Sequence, residues 1–355
     1  MTKFLEAYRH KIDSFEVVDI ADPQEIQRLR ERRDVDVRVD ARWAWNYGSE
    51  VEELRNLYEK GKRGQWNAET DLDWTLPAGP DAWMLRPEAS MLAQIAKLTG
   101  SDEATQKAAA FDEVAYTSSQ LLHGEQAALQ ICGQLTNACE RMDEKWYAAS
   151  QVIDEARHVE ALSKFLQRKA GEIHPIGATL KFLLDVLLES EGVQKKTLGM
   201  QTLFEGTAVG IMDMLRGESQ NALFSEILRR IEQDEARHAA FGVLMMRRIV
   251  GEASEAERAS MEDWAFSILE TLNANQQLDM LHYFAPKYGF EPEEVAKIML
   301  GLPEFAAINS RPFMHTVIPN LRKLGLITTR SEEKWRDVGM LVESAPGVKG
   351  MPASA

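Results

Sequence analysis

The chain has 355 residues, 45% of them hydrophobic, and a net charge of −15 at pH 7, so it can bury a large core in one large domain or two small ones. With a pI near 5.1 and no run of more than two basic residues, it lacks a footprint for phosphate backbones, and nucleic acid is not expected as a partner. No stretch approaches the ~20 apolar residues that span a bilayer, and the N-terminus has no apolar leader segment; a soluble, cytoplasmic protein is expected.

In chain order, residues 1–104 read as an N-terminal helical extension of shorter helices. Asp22-Pro23-Gln24-Glu25 is a good helix start, with Asp as the cap and Pro at the first helical position. Residues 66–83, WNAETDLDWTLPAGPDAW, read as an ordered loop packed on a larger body. From Thr105 to Val250 apolar residues recur at helical spacing with a single proline, Pro175. Four long helices fit, over about 105–142, 145–170, 177–216 and 220–250, joined abruptly as in an antiparallel bundle. Cys132 and Cys139 fall on the first of them, about 10 Å apart along its axis, which is too far for a disulfide. Residues 251–355 read as a C-terminal helical extension: Ser254-Glu255-Ala256-Glu257 is a capping box, helices continue to about Val342, and the tail SAPGVKGMPASA looks frayed. The fold class is all-α.

The chemistry concentrates in a repeated word. Asp154-Glu155-Ala156-Arg157-His158 returns as Asp234-Glu235-Ala236-Arg237-His238, 80 residues later. Residues three apart share a helix face, so Glu155 with His158, and Glu235 with His238, can converge on one ion. A lone Glu-x-x-His is ordinarily a solvated surface pair. Here each copy follows a carboxylate set in an apolar helix, Glu125 and Glu205, each 30 residues upstream. An unpaired buried carboxylate costs several kcal/mol or takes up a proton. Four inward glutamates and two histidines therefore call for a compensating charge, which two divalent ions supply. One Glu from each of two helices plus Glu-x-x-His from each of the other two is the donor pattern of di-metal carboxylate bundles. Oxygen and imidazole donors without thiolates suit iron or manganese better than structural zinc.

The other letters take supporting parts. A metal-bound imidazole donates its second N–H to a carboxylate, a carbonyl or water, so Asp154 is expected to hold His238 and Asp234 to hold His158, crossing between helices. Arg157 and Arg237 would pair with those aspartates. Residues about one turn from the ligands, Leu122, Ala128, Leu129, Leu162, Phe204, Ala208 and Val209, with Cys132 further along, are expected to line an apolar pocket for a hydrophobic or aromatic substrate. His123 reads as a polar partner rather than a ligand, and His174 as a loop residue.

Glu125, Glu155-x-x-His158, Glu205 and Glu235-x-x-His238 resemble the ligand set of the ferritin-like di-iron carboxylate proteins. The doubled D-E-x-R-H is most similar to the hydroxylase subunits of bacterial multicomponent monooxygenases and to acyl carrier protein desaturases. The resemblance covers about residues 105–250. It implies a ferritin-like four-helix bundle with additional flanking helices, holding two Fe ions, or Mn or a mixed Fe/Mn pair, that use O2 as co-substrate. The chain departs from two subfamilies. Leu162 stands where reductase small subunits have a tyrosine, and Val209 where the multicomponent hydroxylases have a threonine; Thr207 would face away from Glu205 and does not replace it. The expected function is an O2-activating di-iron oxygenase or oxidase acting by hydroxylation, N-oxygenation or desaturation, supplied with electrons by a reductase or ferredoxin, and homo-oligomeric. The alternative is a non-oxygenase di-metal protein, dimanganese catalase-like or a ligand-binding oxidase. An apolar cavity opening to the metals favours the first, and a narrow polar channel the second.

Overall fold

The computed structural model describes residues 3–18, 20–32, 34–300 and 311–341. Among these the regular structure is helical, apart from an isolated bridge between Leu85 and Ser219; the tail expected to fray, 344–355, lies outside them.

Short helices α1 (Lys3–Ala7), α2 (Arg9–Asp13) and α3 (Pro23–Glu31) precede α4 (Glu52–Arg63) and α5 (Met91–Leu98). Asp22 caps α3, its side chain accepting from the Gln24 amide. The bundle begins with α6 (Glu103–Ala138), whose first turn is closed by Asp102 accepting from the Thr105 amide at 2.9 Å. Three residues separate it from α7 (Met142–Phe165), which runs on through a π-helical turn, Leu166–Ala170. So short a connection returns α7 antiparallel along α6.

The expected third helix, 177–216, is two helices. α8 (Ala178–Glu189) ends at Ser190, and α9 (Gly192–Lys196) restarts after Gly192 at φ 80°, a conformation that a residue with a Cβ rarely adopts. Buried Lys196 reaches back, donating to the Leu187 and Leu188 carbonyls at 3.3 and 3.0 Å, and so satisfies the open end of α8. An apolar run such as LKFLLDVLL shows no break in its periodicity, so only the glycine marked it. α9 passes through a π-helical stretch, Thr197–Phe204, directly into α10 (Glu205–Glu218), and α11 (Ala222–Glu252) packs back along α10.

Two apolar clusters close the bundle on either side of its polar centre. Leu162, Phe165 and Phe224 belong to one, Ile131, Tyr147 and Phe241 to the other. Gly242 lets α11 approach the π-helical stretch: a Cβ there would stand 2.3 Å from the Gln201 carbonyl oxygen. α4 lies over α7 and α11. Beyond the bundle come α12 (Glu255–Tyr288), opened by the Ser254/Glu257 capping box, and α13 (Pro292–Leu300). A π-helical turn, Phe313–Val317, leads to α14 (Ile318–Lys323), and α15 (Glu332–Asp337) follows. Glu262 of α12 fastens this last segment, accepting from the Thr328 amide at 2.7 Å and from the Arg330 guanidinium at 2.7 Å.

Candidate metal centre

Each of the four bundle helices brings an acidic side chain to one buried point. Glu125 comes from α6, Glu155 and His158 from α7, Glu205 from the first turn of α10, and Glu235 and His238 from α11. All six are buried. They divide into two overlapping sets, Glu125/Glu155/His158/Glu235 and Glu155/Glu205/Glu235/His238, within each of which one donor atom per residue lies within 4.8 Å of the others. Glu155 and Glu235 are common to both, so the arrangement has two terminal carboxylates and two shared ones.

Both histidines turn Nδ1 inward. His158 Nδ1 lies 3.3 Å from Glu125, 3.2 Å from Glu155 and 2.9 Å from Glu235. His238 Nδ1 lies 2.9 Å from Glu235, 3.2 Å from Glu155 and 3.7 Å from Glu205. Despite that closeness, Glu155 Oε2 and Glu235 Oε1 accept no hydrogen bond. Acceptors of this kind are almost always satisfied when buried. Two orphaned oxygens on the two shared carboxylates, facing inward nitrogens, fit a pair of metal ions between them.

The outer nitrogens cross the bundle. His158 Nε2 lies 3.1 Å from Asp234 Oδ2, and His238 Nε2 lies 3.3 Å from Asp154 Oδ2. Arg157 donates to Asp154 at 2.6 Å and to Asp234 at 2.7 Å, while Arg237 donates to Asp234 and, at 3.4 Å, to Asp154. The two repeats thus complete one another. Three further residues enter that the motif does not contain. Gln65, just past α4, donates to Asp154 at 2.7 Å and accepts from Arg157 at 2.5 Å. Trp66 Nε1–H donates to Asp234 Oδ2 at 2.8 Å, its ring stacked on His158 at 6.5 Å and under the Arg157 guanidinium at 5.0 Å. Gln151 donates to both Glu155 (2.7 Å) and Glu205 (3.0 Å). Only Gln151 left a trace in the sequence, one turn before Glu155 on the same buried face.

The electrostatics follow burial and charge. Desolvation pushes the Glu125 carboxyl up to about 8 against the pull of His158, and desolvation with the nearby charge of Glu235 pushes Glu205 up to about 8. For His158 and His238 burial favours the neutral ring, but the surrounding carboxylates outweigh it and raise both well above the usual range. Burial works against the Asp154 carboxylate too, yet its bond to His238 and the charges around it hold it down to about 2; Asp234 is depressed further by His158, Arg237 and Arg157. Glu125, Glu205 and both histidines thus favour their protonated forms where a cation would sit, and the outer aspartates favour their ionised ones.

An apolar cavity of about 70 Å³ reaches Glu125 and Glu205, walled by Leu121, Ala128, Met200, Phe204, Ala208 and Ile211 among others. Of the expected lining, Ala128, Phe204 and Ala208 face it. Leu122 and Leu162 instead pack with Phe165 in the core, because residue 122 lies a step of 100° round α6 from Leu121 and turns toward the apolar cluster. Cys132 is buried, accepting from Gln201 Nε2 at 3.3 Å, and Leu129 and Val209 do not line the cavity. Thr207 was expected to face away, yet it stands on the cavity wall, its hydroxyl bonded to the Leu203 carbonyl at 2.7 Å. His123 lies 3.0 Å from the His174 carbonyl and belongs to neither donor set; His174 sits in the loop before α8, against Tyr283. Cys132 and Cys139 are both free thiols.

The family described as P-aminobenzoate N-oxygenase AurF matches residues 49–318. No curated protein matches the sequence. Similar solved structures include point mutants of an R2-like ligand-binding oxidase with a reconstituted Mn/Fe cofactor. One, reconstituted aerobically, has 16% identity and a TM-score of 0.45, covering 80% of this chain and 99% of its own. Another, reconstituted anaerobically, has 16% identity and a TM-score of 0.42 over the same shares.

Proposed function

We propose, from the premise that the chain belongs to the AurF p-aminobenzoate N-oxygenase family, that it is an O2-dependent di-iron oxygenase that oxidises a hydrophobic or aromatic small molecule beside Glu125 and Glu205. In this reading Glu125 and His158 would hold one ion and Glu205 and His238 the other, with Glu155 and Glu235 belonging to both donor sets. Iron, or manganese at one or both positions, would supply the reduction of O2 and the oxidising equivalent passed to the substrate.

The chain's own residues do the rest. Asp154 and Asp234 fix the imidazole tautomers by accepting hydrogen bonds from the Nε2–H groups, which leaves both Nδ1 atoms free to bind. Arg157 and Arg237 keep those aspartates ionised. Gln151 holds Glu155 and Glu205 in a fixed relation. The apolar cavity on the α6 and α10 side would receive the substrate beside Glu125 and Glu205. Its apolar character is the observation that carries the oxygenase reading over a catalase-like one, since a site serving peroxide alone has no need of it. Residues 105–250 form the catalytic bundle in this reading, with 1–104 and 251–355 as helical covers. Among the described residues no helix is long and apolar enough to cross a membrane. Two free thiols suit a reducing, cytoplasmic setting. Electrons come from a separate reductase or ferredoxin, and assembly into a homo-oligomer is part of the proposal.

The test is to load the protein with Fe(II) without air, add an electron donor, O2 and a panel of lipophilic and aromatic amines, and look for oxygenated product. Stoichiometric O2 uptake with product supports the reading. Peroxide disproportionation without any oxygenated product would favour the catalase-like alternative.

A further inference from the structure

The cavity at Glu125 and Glu205 is small and does not stand alone. Its ~70 Å³ is roughly half the ~150 Å³ that a dry cavity uses to enclose benzene, so a ring cannot lie wholly inside. Thr117, Gln120, Ile211 and Leu272 wall it and also wall a second, outer cleft of about 480 Å³. That cleft lies between α5, α6, α10, α12 and the turn at Phe313, and four methionines, Met91, Met214, Met280 and Met299, line it. Methionine conforms to apolar bodies of varied shape. Gln120 in the throat is held in place by the loop before α8, with Nε2 donating to the Pro175 carbonyl at 2.9 Å and Oε1 accepting from the Gly177 amide at 2.8 Å.

Charge along this passage is one-sided. Among the described residues no Arg, Lys or His lines the inner cavity. The outer cleft has Arg86 and Arg311, of which Arg86 is already paired with Glu218 (2.6 Å), against Glu88, Glu113 and Glu218. At the inner end four glutamates are balanced by two divalent ions, with no cation left over. Arg311 lines only the outer cleft, so a free carboxylate held in the inner cavity would be desolvated without a partner.

We infer that the inner cavity and the outer methionine-lined cleft form one substrate site, which takes an elongated, uncharged, apolar molecule and disfavours a free aromatic carboxylate such as p-aminobenzoate. The reacting group enters the inner cavity, the throat at Thr117 and Ile211 grips the middle, and the outer cleft holds the remainder. This rests on the proposed oxygenase reading and sharpens its substrate class.

The test measures binding by calorimetry to the Fe(II)-loaded protein without air, using p-aminobenzoate, its methyl ester and a series of longer alkyl esters. The methyl ester is expected to bind at least about tenfold tighter than the acid, and each added methylene to gain up to about fourfold while the outer cleft fills. Thr117→Arg places a cation in the throat and should reverse the preference toward the acid; Ile211→Trp should abolish the chain-length gain. Wild-type protein that binds the acid as tightly as the methyl ester, or a flat chain-length series, overturns the inference. Metal content is read on the same samples. Protein that prefers esters but holds no metal would sink the oxygenase reading and leave the site intact, whereas protein with two metals and a preference for the acid would do the opposite.

Discussion

Asp234 and His158 belong to different helices and different copies of the repeated pentapeptide, yet Asp234 Oδ2 lies 3.1 Å from His158 Nε2 in a fully buried contact. An imidazole whose outer N–H is tied in this way presents its other nitrogen to the centre. Asp234→Asn keeps the shape and removes the charge. Such partners are worth about 10–100-fold in metal affinity, so competition with a chelator should show a loss of that size with helix content unchanged; wild-type affinity would mean that the aspartate is merely structural.

Trp66→Phe keeps a ring over His158 and removes the donor to Asp234 at 2.8 Å. A hydrogen bond to a charged group contributes about 1.5–3 kcal/mol. The unfolding free energy of the metal-free protein should decrease by about that amount, and a denaturant titration measures it.

The pH dependence has a definite sign. With Glu125 and Glu205 pushed up from 4.5 to about 8, the folded metal-free protein holds protons at pH 7 that the unfolded chain has released. Their contribution to stability is complete below about pH 4.5 and is lost as pH rises through about 8. Asp154, held down to about 2 from 3.8, acts in the other direction, and its contribution is lost only in acid. Metal ions must displace the glutamate protons. Calorimetry in buffers of differing ionisation enthalpy should therefore record proton release on Fe(II) binding near pH 6.5 that shrinks by pH 9, while the stability slope between these values flattens in the loaded protein.

Gly242→Ala inserts a methyl group 2.3 Å from the Gln201 carbonyl oxygen. That oxygen is backbone in the π-helical stretch just before Glu205, so the clash cannot be relieved by a rotamer change. Overpacking of this kind costs about 1–3 kcal/mol. Because α11 carries Glu235 and His238, metal occupancy should fall together with the melting temperature. A drop in melting temperature at full occupancy would show that the close approach serves packing alone.

The donor set was legible in the sequence because helical spacing is strictly local. The three-residue step from Glu155 to His158 places them on one face whatever the rest of the chain does, and the 30-residue interval from Glu125 and Glu205 repeats in both copies. The crossing of Asp154 to His238 could be reasoned from how imidazoles are held. What stayed hidden came from afar or from backbone irregularity. Gln65 and Trp66 reach the aspartates from a segment 89 and 168 residues away, a contact no periodicity encodes. The break at Gly192 and the π-helical stretch at Thr197–Phe204 interrupt the third bundle helix, which periodicity did not show. Within α10, Thr207 meets the cavity while Val209, one turn after Glu205, does not.

The central claim is that six side chains hold two metal ions, with Glu155 shared. Anaerobic Fe(II) titration of the wild type, Glu155→Ala and His238→Ala, read as bound metal per chain after desalting, tests it most directly. The account predicts two ions per chain in the wild type and loss of the pair in each variant, with helix content preserved; two ions retained in either variant would contradict it.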